Sequence, residues 1–188
     1  MIPAFILAGG DSRRFGENKA LYALNGIPMI EYSIKLVNSI IPETYIISKV
    51  EDGLTGFGVP VLKDDLAQQT PLAGVLRGLE ELKSWGLFLA CDLPYMEAKV
   101  ITELLESIDT EMEEEGIIAV VASIHDNILQ PMVACYHKSA ISSLNRAIDK
   151  NYSMKRWLSE SKIKIVNFEN AKPFRNINEK SDLEPSDG

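Results

Sequence analysis

Two glycines, a set of cations and a pair of strand-end carboxylates are the residues of this chain whose types and spacing could do chemistry. Gly9 and Gly10 sit in the segment LAGGDSRRFGENK at residues 7–19, where Arg13, Arg14 and Lys19 supply the positive charge. A backbone without Cβ admits positive φ and lets its N–H groups approach a ligand closely, and neighbouring cations neutralise an anion, so the combination suits a polyphosphate. The pattern is neither G-x-G-x-x-G nor G-x-x-x-x-G-K-[ST]: Gly10 and Gly16 have the wrong spacing, and Ala20 follows Lys19. Asp92, in Ala-Cys-Asp-Leu-Pro, offers the kind of oxygen ligand that Mg2+ takes, and Asp64 and Asp65 follow another apolar run.

These side chains need elements to hold them. The apolar run at residues 3–8, cut off by Gly9-Gly10, predicts a strand buried on both faces. Further strands are expected at 44–48, 59–62, 87–91, 117–122, 130–136 and 162–168. Helices are expected at 29–40 behind Pro28, at 71–82 opened by Pro71, and at 98–112, 139–151 and 154–158, with acidic residues 111–115 as a solvated helix end. Strands alternating with helices predict an α/β fold with a mostly parallel sheet and helices on both faces, whose ligands bind beyond the carboxyl ends of the strands. Gly9, Asp64 and Asp92 all follow strands in this scheme.

With 188 residues, 46% of them hydrophobic, the chain can fill one core, so residues 1–188 read as a single domain with a frayed tail at 184–188. A net charge of −8 argues against a protein that coats nucleic acid or an anionic membrane, and any anion must be met locally. The first apolar run lacks a basic leader, and no stretch approaches the ~18 apolar residues of a membrane span, so a cytoplasmic location is expected. Cys91 and Cys135 lie in apolar runs without metal spacing and read as buried free thiols. His125 and His137 have no ligand partner at suitable spacing and read as surface or capping residues.

The order L-A-G-G-x-S-x-R-x-G-x-x-K closely resembles the signature loop of the MobA family of nucleotidyltransferases, the molybdenum cofactor guanylyltransferases. Leu7, Ala8, Gly9, Gly10, Ser12, Arg14, Gly16 and Lys19 match it; Phe15 stands where the family often has Met, and Glu17-Asn18 replaces its usual approach to the lysine. Cys91-Asp92-Leu93-Pro94, the P-L-A-G turn at 71–74 and the late Asn176-Ile177-Asn178 are similar to further family motifs. The family's asparagine beyond the second strand has no counterpart in Ser48-Lys49-Val50, and Glu179-Lys180-Ser181 replaces its usual Thr-Pro.

The resemblance spans residues 6–183 and implies a three-layer, Rossmann-like nucleotidyltransferase fold. The activity it implies is transfer of GMP from GTP to molybdopterin, forming the guanine dinucleotide cofactor and pyrophosphate, with Mg2+ held by Asp92. It implies catalytic roles for Arg14, Lys19, Asp92 and Asn178, and nucleotide binding by Leu7, Ala8, Gly9, Gly10, Lys19, Asp64 and Asp92. Asp65 stays a rival to Asp64. Implied partners are GTP, molybdopterin and, transiently, molybdoenzyme apoproteins. Cytidylyl relatives resemble this chain but carry L-A-A-G and G-D-x-P, so Gly10 and Cys91 fall on the guanylyl side. A cytidylyltransferase for this or another phosphorylated acceptor is the alternative within the fold. A nucleotide-binding regulator without catalysis is the alternative outside it, and the joint presence of Lys19 and Asp92 favours an enzyme.

Overall fold

The computed structural model describes residues 1–9, 19–49, 53–68, 70–125 and 128–177. Its strands are β1 (Ala4–Leu7), β2 (Ala23–Leu24), β3 (Ile27–Pro28), β4 (Thr44–Ser48), β5 (Val61–Lys63), β6 (Trp85–Ala90), β7 (Ala119–Ile124), β8 (Ile128–His137) and β9 (Ile163–Phe168). Its α-helices are α1 (Met29–Asn38), α2 (Pro71–Glu81), α3 (Ala98–Glu106), α4 (Ile141–Asp149) and α5 (Met154–Ser159). The short β2–β3 hairpin turns on Asn25 and Gly26, both at positive φ (52° and 79°), the conformation a two-residue hairpin demands.

The other seven strands form one sheet in the order β5-β4-β1-β6-β8-β7-β9. The β1–β4, β1–β6, β4–β5 and β7–β9 pairs are parallel, as the alternating pattern predicts, and β8 alone runs antiparallel to its neighbours β6 and β7. The pairing of β7 with β8 shifts register between Val121 and Ala122, where Pro131 falls in the skipped stretch of β8 and cannot donate to the ladder.

Alternation along the strands divides the core between the two faces of the sheet. Ala4, Ile6, Leu87, Leu89, Val120 and Ala122 pack with Ile30, Ile34 and Val37 of α1 and Val100, Ile101 and Leu104 of α3. Phe5, Phe88, Ala119 and Val121 pack with Leu72, Leu76 and Leu79 of α2, Leu144 of α4 and Trp157 of α5. Helix α2 lies so close to the sheet that a Cβ on Gly78 would come within 2.5 Å of Phe88 Cε1. Thr70 caps that helix by accepting from Leu72 N–H at 3.4 Å, and Pro71 occupies its first turn, where no N–H is missed.

Several boundaries differ from the periodicity. The helix expected over 98–112 stops at Glu106: Ser107 Oγ bonds back to Glu103 O at 2.7 Å, and Asp109 Oδ1 accepts from the N–H groups of Glu111 and Met112, both at 3.1 Å, closing a separate turn. Met112 is buried in that turn, which is why it fits a helical stripe, and residues 111–115 form a turn in place of a helix end. The strand expected at 59–62 begins after Pro60, at Val61. The segment 139–151 opens with a 3-10 turn at Lys138–Ala140 and closes on Asn151 at φ 53°. His137 is a capping residue and not a surface one: it is buried, its Nδ1 accepts from Ser139 N–H at 3.3 Å, and its ring packs at a tilt of 49° against Trp85.

Candidate active site

Parallel strands end together, so the residues following β5, β4, β1 and β6 form a row: Asp64, Lys49, Gly9 and Asp92. The first tie in that row is made by backbone. Ala8 N–H donates to Ile47 O at 2.8 Å, Cys91 N–H to Leu7 O at 3.2 Å and Asp64 N–H to Ser48 O at 2.9 Å, so the ladder runs on past the last strand residues and fixes the neighbouring loops against one another. The Leu7 carbonyl and the Ala8 N–H are engaged in these bonds. Gly9 is exposed and lies against β4's exit, 3.8 Å from Lys49 N to the position a Cβ would take.

Lys19 stands on the short turn Lys19–Leu21, and its ammonium meets Asp92 Oδ2 at 2.7 Å. The two side chains are 17% and 18% exposed, so the pair is shielded but reachable. Asp92 Oδ1 is buried and has no hydrogen-bond partner among the described residues. An anionic oxygen in that state is costly unless something positive completes it. The preceding residue points the other way, as strand alternation requires: Cys91 packs in the core with Leu87 and Leu89, and burial, with help from the Asp92 charge, pushes its thiol up to about 12. Cys135 is likewise buried and free, its thiol also raised by burial to about 12.

Asp64 is 7% exposed, accepts from Leu66 N–H through Oδ1 at 3.1 Å and faces the Lys49 ammonium through Oδ2 at 3.3 Å. Its rival Asp65 is 75% exposed and pairs with Lys63, so only Asp64 belongs to the row. Of the late motif, Asn176 is exposed and Ile177 is fully buried among Leu24 and Met29, with Tyr22, Tyr32 and Tyr95 around them. Ile177 N–H donates to Asp92 O at 3.1 Å, which brings the C-terminal segment onto the Asp92 turn. Sequence reasoning named Lys49 and Ile177 only within the segments 48–50 and 176–178 and gave neither a role, since neither a lone lysine after a strand nor an apolar side chain announces its tertiary partner. Gly10, Arg14 and Asn178 lie outside the described residues.

Among the described residues no three His, Cys, Asp or Glu side chains gather as a metal cage. Asp92 Oδ1 nevertheless fits a magnesium ion, which is bound through one or two carboxylates together with waters and substrate phosphates. No helix among the described residues is long and apolar enough to cross a membrane.

A strand-end glycine, a lysine and an aspartate gathered at the carboxyl edge of a mostly parallel, helix-covered sheet define a nucleotidyltransferase of Rossmann-like fold. The chain belongs to the MobA-like NTP transferase domain family, whose profile matches residues 4–165. A probable molybdenum cofactor guanylyltransferase from Bacillus anthracis is 34% identical, covering 94% of this chain and 91% of that protein. One from Nostoc sp. is 30% identical, covering 97% and 88%. The crystal structure of molybdopterin-guanine dinucleotide biosynthesis protein A from Archaeoglobus fulgidus superposes with a TM-score of 0.79 over 97% of this chain and 95% of that one; at 23% identity this likeness speaks for the fold.

Proposed function

We propose that this protein transfers GMP from GTP to molybdopterin, forming the guanine dinucleotide cofactor and releasing pyrophosphate. The observation that carries the reading is the Lys19–Asp92 contact at 2.7 Å, with Asp92 Oδ1 unpartnered among the described residues, at the exit of β6 and in a chain of this family.

The reaction needs no nucleophile or strong base from the protein. The acceptor's terminal phosphate is a monoester with a second pKa of about 6, so one of its oxygens is already anionic at neutral pH. That oxygen forms a bond to the α-phosphorus of GTP, the bond from the α-phosphorus to the α,β-bridging oxygen breaks, and the leaving oxygen carries the electron pair away on pyrophosphate. What remains for the protein is alignment and charge compensation. Gly9, with Gly10, lines the triphosphate with backbone. Lys19 follows the charge as it moves from the α-phosphate to the leaving group, and Arg14 and Asn178 hold the phosphates in line. Asp92 would hold Mg2+ through Oδ1, where the ion would supply neutralisation of phosphate charge. Lys19 must then exchange part of its contact with Asp92 for contact with phosphate.

Pyrophosphate release is to be measured with molybdopterin, Mg2+ and each of the four ribonucleoside triphosphates. GTP is expected to exceed CTP by at least roughly tenfold in kcat/KM, since polar readout of a base penalises the base lacking the matching groups. A CTP preference would reassign the protein as a cytidylyltransferase, and release from no nucleotide would remove the transferase reading altogether.

A further inference from the structure

Asp64 is the row's acidic group on the side away from Asp92, yet little of it is presented. It is 7% exposed, with Oδ1 taken by Leu66 N–H and Oδ2 by Lys49. Lys49 is 28% exposed, and its ammonium also donates to Leu66 O at 2.5 Å. An ammonium has three N–H donors; one goes to Leu66 O, the ion pair with Asp64 anchors the group a second time, and the side chain is thereby held in one place while 28% exposed. The polar group offered at this end of the row is thus a fixed donor.

Its place in the row says what meets it. Gly9 lies against the backbone of Lys49 on one side, and Asp92 follows one strand further. Strands are spaced by about 4.8 Å, and on the guanylyl reading a nucleotide with phosphates over Gly9 and Asp92 extends its base away from Asp92, over the exits of β4 and β5. A donor there favours a base with an exocyclic oxygen: guanine presents O6 and N7 as acceptors, whereas adenine and cytosine present amino donors at their corresponding positions.

We propose that Lys49 is a specificity-determining residue that donates a hydrogen bond to the exocyclic oxygen of guanine, with Asp64 acting through it as a positioning residue. The proposal rests on the guanylyl reading above. It recasts Asp64 from a base contact into the group that orients and neutralises the lysine that makes the contact.

Nucleotide binding with Mg2+, read by calorimetry, tests it with GTP, ITP and 2-aminopurine riboside triphosphate. ITP keeps the exocyclic oxygen and lacks the amino group; the 2-aminopurine nucleotide does the reverse. The wild-type protein is expected to bind ITP nearly as well as GTP and the 2-aminopurine nucleotide about tenfold more weakly, the effect of one charge-assisted hydrogen bond. Lys49→Met should erase that ratio, Lys49→Arg should keep it, and Asp64→Asn should narrow it. Equal wild-type binding of GTP and the 2-aminopurine nucleotide overturns the proposal without any variant having to fold, as does ITP binding as weakly as the 2-aminopurine nucleotide. An unchanged ratio in folded Lys49→Met overturns it too. Pyrophosphate release run in parallel separates the two readings: the expected ratio without transfer leaves Lys49 standing and removes the transferase, while transfer with an unchanged ratio in Lys49→Met does the opposite.

Discussion

Lys19 and Asp92 meet at 2.7 Å, Lys49 and Asp64 at 3.3 Å, and the two pairs flank Gly9 at the same edge of the sheet. They differ in what surrounds the carboxylate. Asp64 has both oxygens engaged, by a backbone N–H and an ammonium, and its lysine is tied down a second time through Leu66 O. Asp92 spends one oxygen on Lys19 and leaves the other buried and unpaired among the described residues. A saturated pair is a finished piece of architecture; an unsaturated one is waiting for a partner. The first suits recognition of a rigid group such as a base, and the second suits chemistry in which charge moves and contacts are remade.

The comparison can be broken most directly at Asp92. Asp92→Ala is expected to lower kcat by about 10³-fold or more with little change in thermal midpoint, because the residue stabilises charge that develops in the reaction and its Oδ1 makes no hydrogen bond among the described residues. Pyrophosphate release and thermal unfolding of the same preparation check it, and a collapsed midpoint would make Asp92 structural. Next in size is Lys19→Ala, expected to cost ~10²–10³ in kcat, the range for loss of one preorganised charge stabiliser. It should also tighten apparent Mg2+ affinity, since Asp92 no longer shares its charge with the ammonium. A Mg2+ titration of activity reads this, and weaker Mg2+ dependence would mean that the lysine supports the metal instead of competing with it.

Asp64→Ala should show the opposite signature. Removing the carboxylate leaves Leu66 N–H and the Lys49 ammonium without their acceptor, at about 1–3 kcal/mol of stability, with the kinetic loss mainly in KM for GTP. Urea unfolding and steady-state kinetics check both halves; a kcat loss as large as that of Asp92→Ala would erase the distinction between the pairs.

The smallest effect concerns the dry core behind them. Cys135 has its thiol raised to about 12 from an ordinary 9.0 by burial, so the folded state holds that proton more tightly than the unfolded chain. Its stabilising contribution is complete below about pH 9 and is lost as pH rises toward 12, at up to about 1.4 kcal/mol per pH unit. Urea unfolding between pH 8 and 10 should therefore be less pH-dependent in Cys135→Ala than in the wild type. Cys91, raised by burial and then by Asp92, adds a similar slope, and Asp92→Asn should lessen it. Parallel pH dependences in wild type and Cys135→Ala would mean that water reaches the thiol.

Much of this molecule is written in local order. β1 is bounded by Gly9, β4 coincides with its β-branched run, and α2 begins where Thr70-Pro71 allows, because periodicity, capping and the absence of an N–H act over a few residues. The fold class and the family follow from those signals and from the loop at residues 7–19, and Gly9, Lys19, Asp64 and Asp92 stand out by type and by their place after strands. Tertiary structure decided what no window of sequence contains. Lys19 meets Asp92 across 73 positions because β1 and β6 are neighbours in the sheet, and Ile177 reaches Asp92 across more because its side chain is buried with Leu24 and Met29. The antiparallel course of β8, the burial of Asp64 against the exposure of Asp65, and the pairing of Lys49 likewise depend on strand order. Side-chain alternation dictates which face a residue takes; only the packed sheet dictates which other residue it finds there.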